Sequence, residues 1–219
     1  EGEYPPELIN RFFGILTIQK GLTKLVVEII AAAILIVFSA ILLSFYHPFY
    51  LAFGIFIVLV LPIIIGLYFK EAVKTSINES THKFAVVAFL EEIAANLDDY
   101  RGNKNKMDEA MKTTDEITSK YLKSRTNHFN VLRKLFASSI LIRAILMGTL
   151  LLMGSYFVIE RQMTFGQFVA AEVIVVQISY AVEKIMTSMN TIFDMITSAE
   201  KLAVVTDLEL FDGKEGENG

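Results

Sequence analysis

Residues 29–69 read IIAAAILIVFSAILLSFY-HP-FYLAFGIFIVLVLPIIIGLYF, two uncharged apolar runs, 29–46 and 49–69, separated by only His47 and Pro48. A helix crosses the ~30 Å hydrocarbon core with about 20 mostly apolar residues, so each run is long enough to span a bilayer. A two-residue break forces a tight hairpin. Pro48 suits the first position of the second helix, where its missing N–H costs nothing. Two further runs follow. One covers 135–159, interrupted only by Arg143, and the other 165–182, carrying Glu172, with residues 160–164 as the short turn between them. The expected fold is all-α: four long transmembrane helices in two hairpins, with spans near 25–46, 49–69, 135–159 and 165–184.

Charge gives the orientation. Segment 70–134 holds twelve Lys and Arg residues, whereas the two turns hold only Arg161. Positive charge stays cytoplasmic, which puts the long middle segment inside and both turns outside. Tyr46, Tyr50 and Tyr156 fall at the outer boundary and Tyr68 at the inner one, the headgroup level tyrosine prefers. A net charge of -4 leaves no basic footprint for nucleic acid, and the absence of cysteine excludes disulfides and thiolate metal sites. No secretory signal is legible in residues 1–7, which are acidic and carry Pro5 and Pro6, and the abrupt start suggests a piece of something longer.

The middle segment has helical periodicity. Ile77, Phe84, Val87, Ala88, Ile93, Ala94 and Leu97 share one face, and Met107, Met111, Ile117, Tyr121, His128, Leu132 and Leu135 share another, with a polar, turn-rich stretch at 101–105 between them. Spans two and three are therefore expected to run on as a cytoplasmic helical extension over 70–134 and to pack against each other. The last span continues through Ile185, Met189, Ile192, Phe193, Ile196 and Leu202, before a Gly- and Glu-rich linker or tail at 209–219.

Charges inside spans are costly and call for a partner or a watery cavity. Arg143 lies 19 residues before Gln162 and Glu183 lies 21 after it, which puts the two at one depth on antiparallel helices and predicts an ion pair. Snorkelling of Arg143 to the inner headgroups is the alternative. Glu172, with Gln177 and Ser179 below it, lines a substrate path or else makes an interhelical hydrogen bond. His47, His82 and His128 are too scattered to suggest a metal site. Glu91-Glu92 and Asp98-Asp99 read as solvated or partner-facing charges rather than acid/base pairs.

Several local stretches bear on a family. Leu8-Ile9-Asn10 with Phe12, Phe89-Leu90-Glu91-Glu92-Ile93-Ala94, Met163-Thr164-Phe165-Gly166-Gln167-Phe168 and Thr197-Ser198-Ala199-Glu200-Lys201 occur in this order. Together with the hairpin order they resemble the transmembrane domain of six-span ABC exporters. The likeness covers about residues 6–208 and lacks the family's first two spans. It makes residues 1–208 a partial transmembrane domain. It also makes Asn10, Phe12, Glu91, Glu92 and Asn96 coupling-helix candidates, Asn96 standing where the family usually has Gly.

The resemblance further implies alternating access within the lipid bilayer, a second transmembrane domain (the same chain or a related one) and a partner nucleotide-binding domain. ATP and Mg would belong to that partner. No G-x-x-x-x-G-K-[ST] stretch occurs here, so no phosphate cradle and no ATPase activity are expected on this chain. The bacterial inner (cytoplasmic) membrane is the expected location. A membrane scaffold that uses its cytoplasmic helices to hold a partner is the competing reading. A secondary carrier would show paired broken spans, and Pro62 with Gly66 has no counterpart in the second hairpin.

Overall fold

A computed structural model describes residues 14–206, so Asn10, Phe12 and the tail at 209–219 lie outside the described residues. The chain is all-α. The helices are α1 (Gly14–Lys24), continued through a π-helical turn (Leu25–Ile30) into α2 (Ala31–Ser44), then α3 (Pro48–Ala95), the short α4 (Leu97–Arg101), α5 (Lys104–Ile159) and α6 (Phe165–Thr206). Among the described residues four helices are long and apolar enough to cross a membrane: Gly14–Ser44, Pro48–Ala95, Lys104–Ile159 and Phe165–Ala203. That is the make-up of a multi-span membrane protein.

Local chemistry explains where the helices begin and end. His47, in extended backbone, accepts the Phe49 N–H on Nδ1 at 3.1 Å, and Pro48 takes the next position, so α3 starts at once. Inside α3, Pro62 removes one backbone hydrogen bond without ending the helix. Asn103 Oδ1 accepts from the amides of Asn105 and Lys106 at 3.0 and 3.3 Å and starts α5. At the far end of α5 the Gln162 N–H reaches back to the Phe157 carbonyl and the Arg161 N–H to that of Val158. These two bonds form a Schellman motif, with Arg161 at φ 57° in the left-handed position that glycine usually holds. Thr164 and Gln167 then form a reciprocal capping box for α6. The Thr164 N–H donates to Gln167 Oε1 at 2.8 Å, and the Gln167 N–H donates to Thr164 Oγ1 at 3.3 Å.

The break between α3 and α5 differs from the sequence reading. Residues 89–94, expected to open a separate coupling helix, are the last turns of α3 itself, because Phe-Leu-Glu-Glu-Ile-Ala holds no residue that breaks a helix. The chain leaves the helix at Asn96, where both the amide N–H and Nδ2 go to the Glu92 carbonyl, at 3.1 and 3.0 Å. The short helix is 97–101, partly inside the stretch read as turn. Glu91 and Glu92 thus belong to α3, and Asn96 is its C-cap. At the other end, the first described helix begins at Gly14, eleven residues before the span expected near 25.

Side-chain contacts give the directions. Between α3 and α5, Glu71 meets Lys134, Thr75 meets His128 and Glu79 meets Arg125, so these helices run antiparallel along their extensions. Between α3 and α6, Phe69 meets Phe193 and Ser76 meets Thr197, so this pair is parallel. Helices α3 and α6 fill the middle, with α1–α2 on one flank and α5 on the other. Where lipid replaces water, close backbone approach does much of the joining. A Cβ on Gly54 would sit 2.8 Å from Ala40 Cβ, and one on Gly21 would sit 2.5 Å from Met195 Cβ. Both glycines therefore bring α3 to α2 and α1 to α6 closer than alanine permits. The buried face of α6 carries Ala171, Val175, Ile178, Val182, Ile185, Met189 and Phe193 at helical spacing.

Candidate functional site

The opposite face of α6 changes character part-way down. Val169 and Val173 are exposed and apolar, but from Gln177 the exposed positions turn polar: Gln177, Tyr180, Lys184, Thr187 and Asp194. Spacings of three, four and seven residues put these on one stripe. Its upper part lies within the span read over 165–184, where polar groups exposed to acyl chains are costly and usually face water or protein.

On the edge of this stripe the structure brings Arg143 and Glu183 together. Arg143 Nη1 donates to Glu183 Oε2 at 3.1 Å, with both side chains about 40% exposed, and the guanidinium lies 5.0 Å above the Tyr180 ring. The pair joins α5 to α6 and leaves one side of each group open. The path-lining candidates separate. Glu172 and Gln177 are both exposed but, five residues apart, point about 140° from each other around the helix. Ser179 is 1% exposed and donates its hydroxyl to the Val175 carbonyl at 2.9 Å, turned into the bundle.

Below the stripe, three helices meet in a polar node that periodicity alone does not reveal. Thr75 Oγ1 lies 2.9 Å from His128 Nδ1, and the buried Thr197 hydroxyl donates to the buried Ser76 hydroxyl at 2.8 Å. Adjacent residues of α3 thus hold α5 and α6. Beside the node a cavity of about 260 Å³ is lined by Ser76, Glu79, Lys83, Arg125, Asp194 and Thr197, among others. Arg125 bonds Glu79 at 3.1 Å. Although Asp194 keeps an exposed side, the cavity walls partly desolvate its carboxyl and push it above its ordinary value; Glu79 adds to this, while His128 and Lys83 oppose it. Asp194 follows the exposed stripe downwards and ends it at this cavity.

A second polar seam joins α1 to α6. Glu28, in the π-helical turn, accepts from the buried Ser188 hydroxyl at 2.8 Å, and Lys24 Nζ lies 3.2 Å from Thr191 Oγ1. Glu28 stands one residue before the first uncharged run, and a carboxylate there has the same need of a partner as Glu183. At the tip of the extensions, Glu92 and Asn96 line a cavity of about 390 Å³ with Phe89, Tyr100, Lys106 and Glu109. Of the histidines, His82 lies 3.1 Å from Ser124 across α3 and α5, and no group of three His, Cys, Asp or Glu residues able to hold a metal occurs among the described residues.

Comparison with known protein families and with curated proteins gives no match for this chain.

Proposed function

We propose that this chain is the membrane-spanning part of an ATP-driven exporter, with two outer hairpins, that forms half of a translocation path and works by alternating access. The observation that carries the reading is the α6 face, which turns from apolar to polar at Gln177 while still within the span. A stripe of this kind suits a helix with lipid or protein beside its outer half and water beside its inner half. Long helical extensions from three spans fit the same reading, because rigid helices carry displacement to and from a cytoplasmic partner. In this proposal a nucleotide-binding domain supplies ATP and Mg, and a second transmembrane domain completes the path. The inner bacterial membrane is the proposed location, and the tip around Glu91, Glu92 and Asn96 is the partner's docking point.

The chain has no cysteine, so single cysteines report without background. Cysteines replacing Gln177, Tyr180 and Lys184 should react with a membrane-impermeant thiol reagent applied from the cytoplasmic side, and those replacing Val169 and Val173 should not. In membranes that contain the nucleotide-binding partner, ATP should change the labelling rate at Gln177 and Tyr180. Labelling that ignores ATP sinks the exporter reading and favours a scaffold that holds a partner without transport.

A further inference from the structure

The contacts of the histidine between α2 and α3 assign one tautomer to its neutral ring. Pro48 has no N–H, so the first amide of α3 that needs an acceptor is that of Phe49, and His47 Nδ1 accepts it at 3.1 Å. A ring nitrogen that accepts carries no hydrogen. The neutral ring therefore carries its hydrogen on Nε2, which donates to Gln162 Oε1 at 3.1 Å, in the connection before α6. The same ring lies flat on Phe157 near the end of α5, centroids 3.9 Å apart and planes 24° apart, and edge-on to Tyr50 at 6.4 Å. One neutral tautomer thus fastens the start of α3, the end of α5 and the entry to α6.

A proton on Nδ1 removes the acceptor and sets N–H against N–H. It also places a cation at the positive end of a 48-residue helix. The ionisable groups on the elements around the ring are Tyr46 beside it in the chain, Tyr50 on α3, Tyr156 on α5, and Glu160 and Arg161 in the connection. The last two carry opposite charges, and the ring's hydrogen bonds go to Phe49 and Gln162 instead. We propose that His47 is an acid-released latch between connections 45–47 and 160–164. Protonation from the adjoining aqueous phase swings the ring off Phe49, and the Phe157 stack and the Gln162 bond are lost with that pose. The latch does not depend on transport and stands or falls apart from the exporter reading.

The test is histidine-resolved nitrogen NMR with amide hydrogen exchange on the full chain in lipid nanodiscs. The sequence holds three histidines, so single substitutions assign the signals. At neutral pH His47 should show the Nε2–H tautomer. As His47 takes up its proton, exchange at the Phe49 amide should quicken roughly fivefold to tenfold beyond its intrinsic pH dependence, the size expected for losing a cap and adding a misplaced charge. His47→Asn keeps a capping oxygen without titrating, and its Phe49 exchange should show no such step. The Nδ1–H tautomer at neutral pH, unchanged exchange through the titration, or an equal acid response in His47→Asn overturns the proposal. If His47→Asn fails to fold, tautomer and exchange in the unmodified chain decide alone.

Discussion

Arg143 Nη1 meets Glu183 Oε2 at 3.1 Å across two antiparallel helices, although 40 residues of chain separate them. Both side chains remain about 40% exposed, so the pair is neither a surface contact nor a fully buried one. Reversal of either charge alone, Arg143→Glu or Glu183→Arg, should cost roughly 1–2 kcal/mol, between surface and buried values, and lower the folded yield. The double reversal should recover most of it. Thermal unfolding in detergent measures this as a double-mutant cycle, and additive losses with no recovery count against coupling.

Arg161 occupies the left-handed position of the Schellman motif at φ 57°. A side chain there costs roughly 1–2 kcal/mol that glycine does not incur. Arg161→Gly should therefore raise the unfolding temperature, and a fall instead would show that the Arg161 side chain contributes more than its backbone strain costs.

Thr164 and Gln167 cap α6 reciprocally. Thr164→Ala and Gln167→Ala should each destabilise by about 1 kcal/mol. The double substitution should cost less than the two together, because either change already breaks the box. Full additivity in calorimetric unfolding would refute a cooperative cap.

Partial desolvation raises the pKa of Asp194 from its ordinary 3.8, so the folded chain holds that proton more tightly than the unfolded one. Stability from this group is fully present below 3.8 and is lost as pH rises through the folded value. Asp194→Asn should thus be the more stable protein at neutral pH, with its advantage fading on acidification. Water still reaches Asp194, which limits the gain to within about 1 kcal/mol. Unfolding midpoints measured from pH 3.5 to 7.5 check the direction, and an advantage largest in acid would contradict it.

Gly21 faces Met195 so closely that an added Cβ would sit 2.5 Å from Met195 Cβ. Glycine to alanine inside a helix ordinarily stabilises, yet Gly21→Ala should lose about 1–3 kcal/mol by prising α1 from α6. A rise in unfolding temperature would show that α1 shifts at no cost.

Apolar blocks of span length make the four long helices plain in the sequence, and nearly equal distances from Gln162 put Arg143 opposite Glu183. Both are one-dimensional signals. The contacts missed were those that depend on which way a small polar side chain turns. Thr75 and Ser76 are neighbours that grip different helices, and Ser179 faces inward while Gln177, two residues earlier, faces out. Periodicity puts Met107 and Met111 on the inward stripe of α5, but Ala110 is buried there and both methionines are exposed, since near the tip only the short α4 and the end of α3 lie alongside. Two helix-start signals are legible in the sequence itself: Thr164-x-x-Gln167 as a capping box, and His47 before Pro48 as a cap.

The 56 residues of α5 amount to about 84 Å of helix, of which the 31 before Leu135 reach roughly 46 Å beyond the apolar run. A tilt of about 5° where the helix enters that run swings the far tip by about 4 Å, roughly three quarters of the ~5.4 Å pitch of a helical turn. Hydrogen bonds at Thr75–His128 and Glu79–Arg125, with the looser Glu71–Lys134 ion pair, tie α3 to α5 along this length. In the proposed exporter the two helices together would act as a ratio gear: motion too small to break side-chain packing among the spans would become, at the tip, a step of several ångströms.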